Sequence, residues 1–346
     1  MVLNKQVIFV KHVTAGFPVP GEHLQVHATE LDLDAPLAQD EYIIKNLVFS
    51  IDPYMAVRMR PGHMAGNFVL GKPAVGFGMG VVIKSNNPDI KEGDLVQSMG
   101  NGPYEEYTKV RGDLLQAYKV CNDPKTTGLP ISNYAGVLSM PGLTAYYGLM
   151  TRGQPKQGET LYVSAASGAV GQLVGQMGKV LGLRVIGSAG SDEKVAYLKE
   201  IGFDGAFNYK ASDISEKLEE LCPNGIDIYF DNVGGRTLEA AIAKSNVHAR
   251  VVLCGMSSQY GKAVQDGIHN LFLAIPKEIS LLGFNASYAT PELTNEFRRT
   301  VTSWLQQGKI KYREDIAEGI DLTPQALLDV FEGRNFGKQI VKVADI

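Results

Sequence analysis

Residues 160–194 leave this chain few ways to fold. Thr160, Leu161, Tyr162, Val163 and Ser164 form a short apolar run, Ala165-Ala166-Ser167-Gly168-Ala169-Val170-Gly171 follows, and apolar residues then recur at Leu173, Val174, Met177 and Leu181. The run predicts a strand, the glycines a tight turn and the recurring positions a helix. In that order the segment matches Gly-x-Gly-x-x-Gly at Gly168 and Gly171, with Ala166 in the first place. Two of three glycines are a weak signal alone, but a strand before and a helix after turn it into a dinucleotide-binding expectation. Gly168 lets the backbone approach a pyrophosphate, Gly171 lets helix pack on strand, and the helix start offers unpaired N–H groups to the anion. Ser167, Ala169 and Val170 complete the turn. The plain alternative is a glycine-rich turn that binds nothing.

The next strand, Arg184 to Gly187, bears on which dinucleotide fits. A site for NAD places an acid about 20 residues beyond the glycines to hold the ribose 2′-hydroxyl. This chain has Ser188-Ala189-Gly190-Ser191 there, and Lys194 follows one helical turn later. A missing acid and a nearby ammonium favour NADP over NAD, against the plain reading of Lys194 as a solvated helix lysine. Ser191 reads as the cap of the next helix, with Asp192 and Glu193 at its positive end.

Composition sets the outer bounds. The 346 residues suggest two domains, and 45% hydrophobic residues supply two cores. A net charge of −4 gives no reason to expect nucleic acid or an anionic membrane as partner. No stretch has the length of a membrane span or the apolar core of a signal peptide, and a cytoplasmic location is expected. Cys121, Cys222 and Cys254 are too scattered for a disulfide framework or a zinc loop. The six histidines, His12, His23, His27, His63, His248 and His269, lack ligand spacing, so no metal is expected.

The expected fold class is α/β: a doubly wound parallel sheet of Rossmann type plus a β-rich domain. Up to residue 138 the chain shows short runs with β-branched or apolar alternation, at Gln6 to Val10, Leu24 to Glu30, Glu41 to Ser50, Gly80 to Ser85, Leu95 to Met99 and Tyr104 to Val110. From Met140 a helix begins, and strands then alternate with helices. Strands are expected at Arg184 to Gly187, Ala206 to Asn208, Ile226 to Asp231, Ala249 to Cys254 and Ile279 to Phe284. Helices are expected at Asp192 to Ile201, Ile214 to Leu221, Thr237 to Lys244 and Pro291 to Gln307. The tail from Tyr312 returns to strand-like runs around Pro324 to Phe331 and is expected to rejoin the first domain. The expected domains are therefore 1–138 with 312–346, and 139–311.

Motifs in order along nearly the whole chain carry a likeness. They are Asp52-Pro53-Tyr54-Met55, Met140 to Tyr146, Val163 to Gly171, Gly190 to Lys194, Phe207 to Lys210, Asp231 to Gly235, Cys254 to Ser257 with Tyr260, and Gly333 to Lys338 with Asn335. The chain resembles the zinc-independent medium-chain dehydrogenase/reductase superfamily. Within it, the likeness is to the NADPH-dependent alkenal/one double-bond reductases, the leukotriene B4 12-hydroxydehydrogenase/prostaglandin reductase family. Where zinc-dependent members carry a catalytic cysteine and a later Gly-His-Glu block, this chain reads Ser50-Ile51-Asp52-Pro53 and Val75-Gly76-Phe77-Gly78.

The resemblance implies a GroES-like β-rich catalytic domain, NADP(H) as cofactor, and a homodimer joined through the cofactor domain near Ile279 to Phe284. It places Lys194 and Tyr209 at the 2′-phosphate and Ser167 with Gly168 to Gly171 at the pyrophosphate. Asn232, Cys254, Gly255, Tyr260, Phe284 and Asn335 fall at the ribose and nicotinamide ends, with Met140 and Thr144 near the nicotinamide. The implied reaction is reduction of the C=C bond of an α,β-unsaturated aldehyde or ketone: hydride goes to the β-carbon, and Tyr260 with a cofactor ribose hydroxyl steadies the enolate oxygen. Tyr260 could instead only pack on the ribose, and Tyr54 is a second catalytic candidate at the substrate mouth. Gly102-Pro103-Tyr104-Glu105-Glu106-Tyr107 departs from the family's Gly-Trp before Glu-Tyr, so substrate identity does not carry over. A quinone reductase of the same superfamily and a catalytically silent NADPH-binding protein are the alternatives.

Overall fold

The computed structural model describes residues 1–62 and 67–346; His63 lies outside the described residues. The chain divides into two units, one of Met1–Ser139 with Glu314–Ile346 and one of Met140–Arg313.

The first unit is β-rich. Val2–Phe9 pairs antiparallel with Leu24–Leu31 and with Lys72–Pro73. A second sheet runs in the order Glu314–Glu318, Lys338–Lys342, Tyr42–Ser50, Val75–Ser85, Leu95–Pro103 and Tyr118–Val120, with Tyr107–Val110 also on Tyr42–Ser50. Tyr42–Ser50 is the spine and is buried on both faces: Tyr42 and Ile44 enter a core with Val82 and Val96, whereas Phe49 enters one with Phe9, Met55 and Tyr104. That double burial explains why its sequence is apolar nearly throughout instead of alternating.

Past its end the chain turns into the short helix Tyr54–Arg58, and a buried ion pair holds the turn. Lys338, 1% exposed, donates from Nζ to Ile51 O at 2.5 Å, Gln339 O at 2.9 Å and Asp52 Oδ1 at 3.1 Å, while Ser50 Oγ donates to Asp52 Oδ2 at 2.5 Å. All three ammonium protons and both carboxylate oxygens are used, the condition under which a buried pair holds one geometry.

The second unit is a doubly wound sheet. Six parallel strands lie in the order Gly205–Asn208, Arg184–Ala189, Thr160–Val163, Ile226–Asp231, Ser245–Leu253 and Ser280–Gly283. In chain order that is 3-2-1-4-5-6, and the order reverses between Thr160–Val163 and Ile226–Asp231, where such sheets bind their ligands. Its helices include Gly171–Val180, Asp192–Glu200, Ile214–Leu221, Gly235–Lys244 and Pro291–Gln306. Tyr162 stacks between Tyr229 and Phe207, with ring centroids 4.9 and 6.2 Å away. Close helix packing needs Gly175, where a Cβ would lie 1.9 Å from the Phe203 ring.

The helix opening at Met140 runs to Tyr147 and continues as a π-helical turn, Gly148–Gly153, which the sequence reading did not foresee. Among the described residues no helix is long and apolar enough to cross a membrane.

Candidate functional site

The switch point of the sheet is framed by the two strand ends and by the glycine turn. Ala165 takes a positive φ of 46°, its carbonyl accepts Gly168 N at 3.0 Å, and Ala166 N donates to Ser188 O at 2.9 Å, so the turn is tied to the neighbouring strand. At Gly171 a Cβ would lie 2.5 Å from Ala165 O and 2.7 Å from Ala166 Cα; backbone blocks it, and only glycine opens the helix this close to the strand. Gly168 has more room, 3.3 Å to Ala165 O. Ser167 is buried, and Ala169 and Val170 are half-buried.

One strand further out, Ser191 Oγ caps the helix Asp192–Glu200 by accepting Lys194 N at 3.3 Å. Tyr209 N donates to Ala189 O at 3.1 Å, and a Cβ on Gly190 would meet the Tyr209 hydroxyl at 3.2 Å and Lys210 Cε at 3.4 Å. Gly190 and Tyr209, far apart in the chain, therefore share one corner. Lys194 stands on the first turn of the helix that Ser191 caps, half-buried. Burial pushes the Tyr209 phenol above its ordinary value, so it stays a neutral donor.

On the other side of the switch point, Asn232 Nδ2 donates to Ser164 O at 2.8 Å and Asn232 N to Ser164 Oγ at 3.0 Å. Cys254 N and Gly255 N both donate to Asp231 O, at 2.9 and 3.0 Å. Tyr260 folds back so that its oxygen accepts Met256 N at 3.3 Å, and a Cβ on Gly255 would lie 3.2 Å from that oxygen and 3.6 Å from Asn232 O. Asn232, Gly255 and Tyr260 thus meet. Burial raises the Tyr260 phenol, Cys254 and Asp231 add to the rise, and the Met256 amide opposes it. Burial also pushes the Cys254 thiol up to about 12, so at neutral pH it is a thiol.

The other candidates are held by contacts of their own. Thr144 Oγ1 donates to Met140 Sδ at 3.4 Å within their own helix. Phe284 packs edge-on against Tyr147 at 5.6 Å and Phe230 at 6.3 Å. Tyr54 and Asn335 belong to the β-rich unit. The Tyr54 ring meets Phe77 edge-on at 6.4 Å, and burial followed by the Asp52 charge drives its phenol far above the ordinary value, with Arg58 opposing. Asn335 Nδ2 donates to Gly337 O at 2.9 Å and closes the turn into Lys338–Lys342. Among the described residues no group of three or more His, Cys, Asp or Glu side chains is arranged to hold a metal.

Sequence reasoning gave no role to Ser164, Asp231 or Lys210. The available signal was an acid closing an apolar strand directly before Asn-Val-Gly-Gly, where a buried charge needs a reason.

A Rossmann sheet with this glycine turn, in a chain that also carries a β-rich unit, defines a two-domain dehydrogenase class. Comparisons agree. Residues 5–117 match the family model "N-terminal domain of oxidoreductase", and residues 169–307 match "Zinc-binding dehydrogenase". The chain is 43% identical to a 2-alkenal reductase (NADP(+)-dependent) of Nicotiana tabacum, over 99% of this chain and 98% of that protein. It is 40% identical to (+)-pulegone reductase of Mentha piperita, over 99% of each. The crystal structure of CurA from Vibrio vulnificus in complex with NADPH superposes with a TM-score of 0.86 at 35% identity, covering 99% of this chain and 100% of that one. The chain belongs to the medium-chain dehydrogenase/reductase superfamily, in its NADP-dependent alkenal/double-bond reductase family.

Proposed function

We propose that this chain reduces the activated C=C bond of α,β-unsaturated aldehydes and ketones, using NADPH. The observation that carries the reading is the meeting of Asn232, Gly255 and Tyr260 at the switch point of a sheet whose other corner brings Tyr209 and Lys210 to Gly190, with Lys194 on the first turn of the helix that follows. The residues fit a phosphorylated dinucleotide. A glycine turn, Ser167 to Gly171, suits a pyrophosphate, a lysine and a neutral phenol suit a 2′-phosphate, and Ser188-Ala189-Gly190-Ser191 closes the second strand without the carboxylate that would select a free 2′-hydroxyl. Asn232, Cys254, Gly255 and Phe284 would border the ribose and nicotinamide end, with Met140 and Thr144 beside it; Asn335 is assigned there, and Tyr54 to the substrate, on family likeness alone.

NADPH, when bound, supplies the hydride that adds to the β-carbon. The chain's own task is the oxygen on which negative charge collects. Tyr260, raised in pKa by burial, remains a neutral O–H donor at pH 7 and steadies that oxygen. The Met256 N–H received by the Tyr260 oxygen orients the phenol for this role.

We further propose a cytoplasmic homodimer. Support comes from the outermost strand Ser280–Gly283 and its surroundings, where Leu281, Phe272 and Ile275 are exposed apolar side chains next to an open sheet edge.

The test is oxidation of NADPH with a medium-chain enone, an enal and a quinone. Turnover of the enone and enal with saturation of the C=C bond is the expected result. Turnover of the quinone alone would replace the reading with a quinone reductase, and none with any of the three would leave a silent NADPH-binding protein.

A further inference from the structure

Beneath the Asn232–Tyr260 cluster lies a buried polar group to which none of the roles above extends. Asp231 closes the strand Ile226–Asp231 and is 0% exposed, and Ser164, directly after Thr160–Val163, is likewise 0% exposed. Four hydrogen bonds converge on Asp231 Oδ1: Tyr229 O–H at 2.6 Å, Gly234 N at 2.8 Å, Val233 N at 2.9 Å and Ser164 O–H at 3.4 Å. The main-chain oxygen of the same residue takes Cys254 N and Gly255 N. Ser164 Oγ in turn accepts Asn232 N at 3.0 Å and lies 3.0 Å from the Tyr229 hydroxyl. One residue therefore holds the loop that begins at Asn232 through its side chain and the loop that leads to Tyr260 through its backbone. The loops are joined again above it, by Ser257 N on Asn232 O at 3.1 Å and Ser258 Oγ on Val233 O at 2.7 Å.

Asp231 Oδ2 is buried with no hydrogen-bond partner. An unsatisfied buried carboxylate oxygen costs stability, and such costs concentrate where a protein positions groups for function. An apolar residue finishing this strand would leave the Tyr229 hydroxyl and the Val233 and Gly234 amides without the acceptor that Asp231 gives them. Burial raises its pKa despite four favourable hydrogen bonds, in line with an acid kept for its geometry.

We infer that Asp231, with Ser164, is a positioning residue: it locks the Asn232 turn to the Gly255–Tyr260 loop and so sets the nicotinamide half of the coenzyme site, leaving the adenosine half to other residues. This rests on the coenzyme reading above, and the experiment separates the two. Calorimetric titration of the full chain with NADPH and with 2′,5′-ADP, which carries only the adenosine half, is compared for the unaltered protein, Asp231→Ala, Asp231→Asn and Ser164→Ala. Asp231→Ala is expected to weaken NADPH about tenfold, the loss of one or two hydrogen bonds, and to leave 2′,5′-ADP within about twofold. Asp231→Asn keeps an acceptor for the converging donors and is expected to recover most of the NADPH affinity.

If Asp231→Ala does not fold, Ser164→Ala, which frees the Asn232 amide, is expected to show the same split. Parallel weakening of both ligands, or no weakening of NADPH, in the folded variants would overturn the inference while leaving the coenzyme reading intact. Failure of the unaltered chain to bind NADPH would overturn both.

Discussion

Two aspartates stand at comparable places in the two units, each buried and each at or just past the end of a central strand, and they are satisfied in opposite ways. Asp52 has a cation: Lys338 reaches it from the C-terminal strand Lys338–Lys342, and each of its oxygens has a donor. Asp231 has only neutral donors, all on one oxygen, and its other oxygen has none. A complete ion pair suits a framework, because it admits one arrangement and is costly to break. An incomplete neutral cluster suits a site, because several loop amides can be aimed from one point.

The largest effect that tests this contrast is removal of the cation. Lys338→Met leaves Asp52 buried and unpaired and should cost about 3–5 kcal/mol in urea unfolding. The double variant Asp52→Leu/Lys338→Met should recover much of it. A loss below about 1 kcal/mol would mean that the pair is no framework element.

Next in size is the catalytic expectation at the neutral cluster. Tyr260→Phe should lower kcat by about a hundredfold with NADPH still bound, as loss of an oxyanion donor does elsewhere. Unchanged turnover would reassign Tyr260 to packing and weaken the view of that cluster as a site.

Smaller again is the coenzyme corner. Lys194→Ala should raise the KM for NADPH about tenfold and leave that for NADH nearly unchanged, since one charge-assisted hydrogen bond to a phosphate is lost. An equal rise for both would take Lys194 out of the phosphate site.

The smallest effect is a pH dependence at Asp231. The Asp231 carboxyl is raised above its ordinary value, so the folded chain holds that proton more tightly than the unfolded chain and stability is lost as the pH climbs from about 4. Asp231→Asn removes this loss, and the urea midpoint of the variant relative to the unaltered chain should move upward between about pH 4 and pH 7. A difference independent of pH would show that Asp231 titrates alike in both states.

The alternating half of the chain was the more legible in sequence. Ile214–Leu221 and Ile226–Asp231 have the bounds that periodicity predicts, because a parallel sheet buries each strand on both faces and helix signals bracket it. The β-rich half was harder to read. Val75–Ser85 begins five residues before the expected Gly80, since Gly76 and Gly78 mask a strand signal. Those glycines follow from neighbours the sequence does not disclose: a Cβ on Gly76 would lie 2.1 Å from the Tyr104 hydroxyl, which donates to Ser50 O at 2.5 Å, and one on Gly78 would lie 2.6 Å from Val48 O. Tyr104 itself, expected to begin a strand, lies outside Tyr107–Val110, its backbone bonded instead to Ala74 O and Val7 N.

The sequence by itself determined the period of each segment, the glycine turn at Gly168 and Gly171 and the missing acid after the second strand, because these are local properties of neighbouring residues. Only the tertiary structure decided that Tyr209 covers Gly190, that Lys338 neutralises Asp52, and that Asp231 ties the Asn232 turn to the Tyr260 loop. Each of those joins segments that are not neighbours in the chain: Gly190 with Tyr209, Asp52 with Lys338, and Asp231 with Cys254 and Gly255. Burial and hydrogen-bond satisfaction, the terms that fix such contacts, depend on which surfaces meet and not on which residues are adjacent.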